Sequence, residues 1–353
     1  MIHPGLTVVC TVAILAVIPG LSILYREFLD RSGVRSSALL TVTISASCFV
    51  MWLLLSLLFT DVAASQLEFP TAALAALSGF LSSLTVRDTT SKRLPAVVYS
   101  LGWTVLVFTP VVLLVLYRSA IGLGATDGPL DLGGALPVHV AVGSSALVVL
   151  TIARRWAVPD HSHIRPRSWL LLTSGAVIWA GSIFGFVGLE LAVDSIVTPR
   201  IITNAIVAPV MAMIGWLIVQ RIGSATTSAI GAVAGLLSGI VAISAGCAYF
   251  TPLWAGVTGV AAGIAASIFV SGRIRKTRRH AWFIVGAHLV AATIGLVMLG
   301  LFGTDFGLIY DGQIGLLQTQ VVSAVAVVVW AGLVSLLLWT LIRGRAHRTA
   351  AIH

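Results

Sequence analysis

The chain has 353 residues, of which 58% are hydrophobic and only 9% charged, and its mean hydropathy is +1.05. A water-soluble domain of this length carries far more charge, so the composition excludes one and points to a polytopic membrane protein. The formal charge of +9 and the pI near 10.3 describe a basic rim beside anionic lipid headgroups; no nucleic acid is expected, because no soluble module remains to grip a duplex.

A helix needs about 20 apolar residues to cross a hydrocarbon core of about 30 Å. In chain order, such stretches fall at 5–25, 37–59, 67–86, 95–116, 133–153, 168–189, 201–220, 226–248, 252–271, 281–302 and 320–342, which makes eleven helices. The first begins within a few residues of Met1, lacks a basic leader and ends in Pro19-Gly20 with Leu24-Tyr25 beyond. It reads as a retained span, with a signal peptide as the competing possibility. No long linker or low-complexity run interrupts the series, so residues 1–353 are expected to form one helical bundle.

The loops divide the basic residues unequally. Arg26, Arg31, Arg35, Arg87, Lys92, Arg93, Arg154, Arg155, Arg165, Arg167, Arg221, Arg273, Arg275, Lys276, Arg278, Arg279, Arg343, Arg345 and Arg348 fall on one face; only Arg118 and Arg200 fall on the other. Short loops rich in Lys and Arg stay cytoplasmic. The N-terminus is therefore expected outside and the C-terminus inside, in a multi-pass protein of the cell membrane.

Cys10, Cys48 and Cys247 lie inside spans, where a thiol acts as a small apolar side chain, and their spacing gives neither a disulfide frame nor a zinc site. Gly231, Gly235 and Gly239, and again Gly259 and Gly263, recur every four residues, a spacing that lets helix backbones approach closely. His3, His161, His163, His280, His347 and His353 lie in loops or tails and receive no role. His139 and His288 differ, because each sits within an otherwise apolar span, the fifth and the tenth.

Burying an ionisable side chain in lipid costs at least about 2.5 kcal/mol, so such residues are read first as functional. Two at matching positions strengthen that reading over one His that only ties helices together. Five spans followed by five run in opposite directions, which predicts an inverted repeat of about 5–153 and about 168–302, with the eleventh helix at 320–342 as an appendage. Val138-His139-Val140-Ala141 and Ala287-His288-Leu289-Val290-Ala291 are the local trace of that repeat. At 1.5 Å per residue, His139 lies roughly 9 Å below the outer boundary and His288 roughly 10 Å above the inner one, so contact is allowed and not compelled. No nucleophile with a base, P-loop or metal cluster occurs; neither an enzyme nor a cofactor is expected.

Several motifs resemble the ammonium transporter and Rhesus protein family over nearly the whole chain up to the tenth span. Asp131-Leu132-Gly133-Gly134-Ala135-Leu136-Pro137-Val138-His139 is similar to the start of its fifth helix, with the glycines shifted by one. Pro19-Gly20-Leu21 through Tyr25 and Val34 resembles the end of its first helix, and Gly185-Phe186, Asn204 and Gly215-Trp216 its sixth and seventh. Val241 to Tyr249 resembles its eighth, with Ser244-Ala245 where a Thr-Pro commonly stands, and His288 falls on the second pore histidine.

The resemblance implies a homotrimer of eleven-helix pores in membrane lipid, each passing ammonium or ammonia through an apolar conduit lined by His139 and His288. Tyr25, Asn204, Trp216 and Ser244 are implied to be pore-adjacent or structural, and Asp131 and Phe186 to shape the outer substrate site. A helix cap is an equal reading for Asp131. The departures gather at that outer site. Leu116 or Tyr117 stands in the region of the family's Trp, and Ala72, with Glu68 and Phe69 upstream, stands in place of a gating Phe. Glu190 replaces a Ser; its carboxylate can offset the lost cation-π contribution of about 1–2 kcal/mol, against a solvated-loop reading of Glu190 and Asp194. About eleven residues follow the last span, so a PII-type regulator is not expected. A non-conducting sensor and a channel for another small neutral gas are the alternative functions.

Overall fold

A computed structural model describes residues 4–29, 34–59, 66–87, 93–118, 128–152, 167–277 and 281–350. Arg31, Lys92, Arg154, Arg155, Arg165, Arg278 and Arg279, with His3, His161, His163, His280 and His353, lie outside them.

The molecule is all helical: α1 (Pro4–Leu29), α2 (Val34–Ser56), α3 (Glu68–Arg87), α4 (Arg93–Leu116), α5 (Ala135–Ile152), α6 (Ser168–Leu189), α7 (Val197–Ser224), α8 (Ala229–Ile243), α9 (Pro252–Thr277), α10 (Trp282–Phe302) and α11 (Gly315–Ala350). In lipid no water satisfies an unpaired peptide group, and a helix pairs them internally. Ten of these helices, among the described residues, are long and apolar enough to cross a membrane.

α8 is the exception. Its 15 residues span about 22 Å at 1.5 Å per residue, short of the hydrocarbon core. The stretch predicted at 226–248 therefore overreaches: the helix stops at Ile243 and the chain turns through Ser244 to Tyr249. Those peptide groups are paired from elsewhere. Asn204 Nδ2 on α7 donates to the carbonyls of Cys247 (2.9 Å) and Phe250 (2.7 Å). Ahead of α5, Leu132 and Gly133 donate their N–H groups to Ala245 O (3.1 Å) and Ser244 O (2.9 Å). Asn204→Leu would leave two buried carbonyls without donors, at about 1–3 kcal/mol each. A loss of about 2–4 kcal/mol is the expected outcome, read from thermal unfolding in detergent against the parent.

Hydropathy does not rank the helices by depth. α3 has the lowest mean hydropathy of the candidate spans, 1.5, yet is 94% buried. Its small residues Ala72, Ala73, Ala75, Ala76, Ser78, Ser82 and Ser83 let other helices close around it, and the serine hydroxyls return to carbonyls of their own helix.

The glycine repeats do mark interfaces. A Cβ on Gly239 would lie 2.5 Å from Pro209 Cα, and one on Gly263 2.1 Å from Ala212 O, so α7 is gripped by α8 on one side and α9 on the other. α11 packs into the bundle. Ser335 Oγ lies 2.8 Å from Ser145 Oγ on α5, which also accepts from Trp103 Nε1 on α4 at 2.8 Å. Gln320 Nε2 donates to Leu130 O at 2.8 Å, tying α11 to the segment that leads into α5.

Candidate functional site

Both histidines sit near the starts of their helices, in six-residue π-helical segments, Ala135–Val140 in α5 and Val285–Val290 in α10. The two share a bond pattern: Ala141 N reaches Leu136 O and Val138 O, and Ala291 N reaches Gly286 O and His288 O. A π turn carries one extra residue and re-aims the side chains around it, which is why such turns gather at functional sites. Ahead of α5, Gly134 takes φ +76°, a left-handed conformation that favours glycine.

Asp131 anchors this start. Its Oδ1 accepts from Ala135 N and its Oδ2 from Leu136 N, each at 2.7 Å, so both oxygens cap the helix. Burial pushes the carboxyl up to about 6, against the opposite pull of the N–H groups of Leu136, Ala135 and Gly134. Both carboxylate oxygens are committed to these bonds, which is the cap reading of Asp131.

α5 and α10 meet because Gly143 has no side chain: a Cβ there would lie 2.5 Å from Leu289 N. The approach brings His139 Nδ1 and His288 Nδ1 to 3.0 Å, with ring centroids 5.1 Å apart and planes 19° from parallel. His288 is fully buried, while His139 keeps 9% of its surface. On the far side of His288, Tyr25 Oη lies 2.7 Å from Nε2. The Tyr25 ring packs on Phe283 at 5.5 Å, and Phe283 meets the edge of Trp216 at 6.2 Å.

A cavity of ≈ 50 Å³ stands over the pair, walled by Val17, Leu21, Leu74, Ile178, Phe186 and Leu237 among others. Ser182 is the one other polar side chain among the described lining residues, and its hydroxyl turns back to Ile178 O at 2.7 Å. Among the described residues, no Asp, Glu, Lys or Arg lines the space. Phe186 forms part of the wall beside Gly133, where a Cβ would lie 2.7 Å from the ring.

The sequence profile of the Ammonium Transporter Family matches residues 60–345. The chain belongs to this family. The ammonium transporter of Bacillus subtilis is 30% identical over 249 residues, 67% of this chain and 59% of that protein. That of Mycobacterium bovis is 29% identical over 226 residues, covering 59% of this chain and 46% of the relative. The chain thus spans about half the length of the mycobacterial relative it matches. The fold is that of Saccharomyces cerevisiae Mep2, with a TM-score of 0.82 over 96% of this chain and 87% of that one at 18% identity. A structure described as a sensor Amt protein superposes with a TM-score of 0.81 over 97% and 93% at 18% identity. The protein is accordingly a multi-pass membrane protein.

In this ammonium transporter family member, the residues that the sequence marked at the substrate site are held by specific contacts. Tyr117 is turned inward, its hydroxyl 2.8 Å from Thr71 Oγ1 and its ring 5.9 Å from Trp52. Ala72 is buried and offers no ring, Phe69 points outward with 49% of its surface exposed, and Glu68 Oε1 accepts from Ser56 Oγ at 2.8 Å. Among the described lining residues, Phe186 is the one Phe, Tyr or Trp that reaches the cavity. Glu190 closes α6, half-buried, and burial with the neighbouring Asp194 raises its carboxyl above the usual range. Asp194 accepts the N–H groups of Ile196 and Val197 at 2.7 Å each, which hold it low and cap α7. Burial raises the Tyr249 hydroxyl above its usual range, as do the charges of Glu190 and Asp131.

Ser244 is structural in its contacts: its hydroxyl returns to Val241 O at 2.8 Å and its carbonyl takes Gly133 N. Gly143 is the residue that sequence reasoning passed over, and Gly133 entered it only as part of the Asp131–His139 motif. The signal at Gly143 is the absence of a side chain at a close approach, which a single sequence does not distinguish from any other glycine.

Proposed function

We propose that this chain moves ammonium across the cell membrane as ammonia, through the conduit whose floor is the His139–His288 pair. The observation that supports it best is the Nδ1 to Nδ1 contact of 3.0 Å beneath a cavity walled by apolar side chains. Ammonium is strongly hydrated, and an ion crosses an apolar constriction only at high cost unless other ligands replace that shell. Ammonia lacks the charge and passes.

In this reading ammonium gives its proton to water at the mouth, near Glu190, Asp131 and Tyr249. Ammonia then enters past Phe186 and reaches the histidines, which orient it and relay the released proton along the pair, so that the net species moved is ammonium and a current follows. The N-terminus faces outward and the C-terminus the cytoplasm, the halves 5–153 and 168–302 are inverted repeats, and three copies assemble in lipid. The paired π turns of α5 and α10 favour the repeat.

Glu190 replaces aromatic recognition with direct charge. Glu190→Gln is expected to weaken apparent ammonium affinity by about two- to fivefold, the ratio for about 0.5–1 kcal/mol from a partly solvated charge. A matched concentration series of ammonium-evoked current against the parent checks it, and an unchanged half-saturation removes the role.

The altered mouth, with Ala72 in place of a ring, favours one second reading, a sensor that binds and does not conduct. Flux of ammonium, methylammonium and carbon dioxide into proteoliposomes separates the cases. Transport predicts the first two above empty vesicles, a sensor predicts none, and a gas channel predicts carbon dioxide alone.

A further inference from the structure

We infer that Arg273 and Trp282 form a headgroup site for an anionic phospholipid where α9 ends and α10 begins, on the membrane face that gathers the basic residues. The site is independent of the permeant and of the histidine pair.

The stretch of α9 fit to cross a membrane ends at Ile274 and that of α10 begins at Trp282, so Arg273 and Trp282 share one boundary. Arg273 is exposed there, while Trp282 keeps 3% of its surface. The Arg273 guanidinium carbon stands 4.8 Å from the centroid of the Trp282 ring and 5.5 Å from that of Phe269. The two rings meet edge to face, with centroids 6.1 Å apart and planes at 67°. A guanidinium held on two rings keeps its charge and is ordered in advance, and its planar fork of N–H groups fits two oxygens of a phosphate.

Three observations point to an anion from outside these helices. From Ser195 to Thr304 the chain contains no Asp or Glu, although residues 273–279 include Arg273, Arg275, Lys276, Arg278 and Arg279. No carboxylate of α7, α8, α9 or α10 can therefore balance that charge. The Trp282 Nε1–H is buried and has no hydrogen-bond partner among the described residues. A buried donor without an acceptor costs free energy, and the acceptors that the membrane offers at its boundary are headgroup oxygens. Beside Arg273, a Cβ at Gly272 would meet nothing within 4 Å, so the surface there is open.

Free phosphate presents the same oxygens, but a stack at the edge of the hydrocarbon meets lipid headgroups at far higher local concentration. An anionic leaflet also attracts each Lys or Arg near its surface. A lipid held there ties the end of α9 to the start of α10. Arg221 supplies the contrast: it is exposed near the end of α7, and its Nη1 is turned back to Ala225 O.

The test is native mass spectrometry of the full chain in detergent, titrated with phosphatidylglycerol and with phosphatidylcholine of the same acyl chains. The parent is expected to bind the first phosphatidylglycerol more tightly than phosphatidylcholine. Arg273→Gln should weaken that step about fivefold, the ratio for about 1 kcal/mol per basic residue at an anionic surface. Trp282→Phe, which keeps a ring and removes the N–H, should weaken it about threefold, and Arg221→Gln should leave it unchanged. Equal binding of the two lipids by the parent, or parent-like affinity in Arg273→Gln, overturns the proposal. An equal loss in Arg221→Gln also overturns it, since the attraction would then belong to the whole basic rim. Inorganic phosphate that displaces the lipid at matched ionic strength would show a site for the free anion and overturn the assignment to lipid.

Discussion

Gly295→Val is expected to prevent stable folding. A Cβ at Gly295 would sit 1.9 Å from Ala242 O, 2.7 Å from Ala242 C and 2.9 Å from Ala242 Cα, all of them backbone atoms of α8 that cannot rotate away. Gly295 lies two turns beyond His288 on the same helix, so this crossing also sets where α10 holds its histidine. Forcing extra methyl groups into a close-packed contact costs about 1–3 kcal/mol where side chains can give, and more where only backbone can. The loss should therefore exceed about 3 kcal/mol and appear as failure to elute as a single folded species. Gly223→Ala is the matched control: nothing lies within 4 Å of its Cβ position, and its stability should stay within about 0.5 kcal/mol of the parent. Gly295→Val protein that folds and melts like the parent would show that α8 and α10 do not cross this closely.

The second large effect concerns the pair itself. His139→Ala and His288→Ala are each expected to cut ammonium-evoked current at least about tenfold, and the double variant should be no worse than the poorer single, because residues that act as a unit are not additive. The contact at 3.0 Å is the reason: with one ring gone, the other loses its imidazole partner. Current normalised to folded protein separates this from instability, since each single variant also leaves a buried nitrogen unpaired at about 1–3 kcal/mol. Two effects that multiply would mean that the histidines work independently.

The helical bundle was legible because span length and hydropathy are imposed by the bilayer itself. The eighth helix shows where that signal stops. Ala245, Gly246, Cys247 and Ala248 are as compatible with lipid as the helix before them, and what ends the helix is pairing with Asn204 and with Leu132 and Gly133, residues far away in sequence. His139 and His288 stood out as imidazoles in apolar spans, yet a depth count along two helices could not bring them to one level. The π turns and the bare backbone at Gly143 do that. Asp131 was open between cap and cation site from its position alone, and only the bonds to Ala135 and Leu136 describe its part in the structure. The burial of α3 was invisible because interior membrane helices are selected for small side chains, which lowers their hydropathy.

Potassium is close to ammonium in size and charge and has no proton to lose, so comparing the two cations tests neutral passage through the histidine-floored conduit most directly. On a supported membrane carrying the reconstituted protein, ammonium at equal concentration and ionic strength should evoke a transport response, and potassium none above protein-free membrane. Equal responses to the two ions would contradict the account.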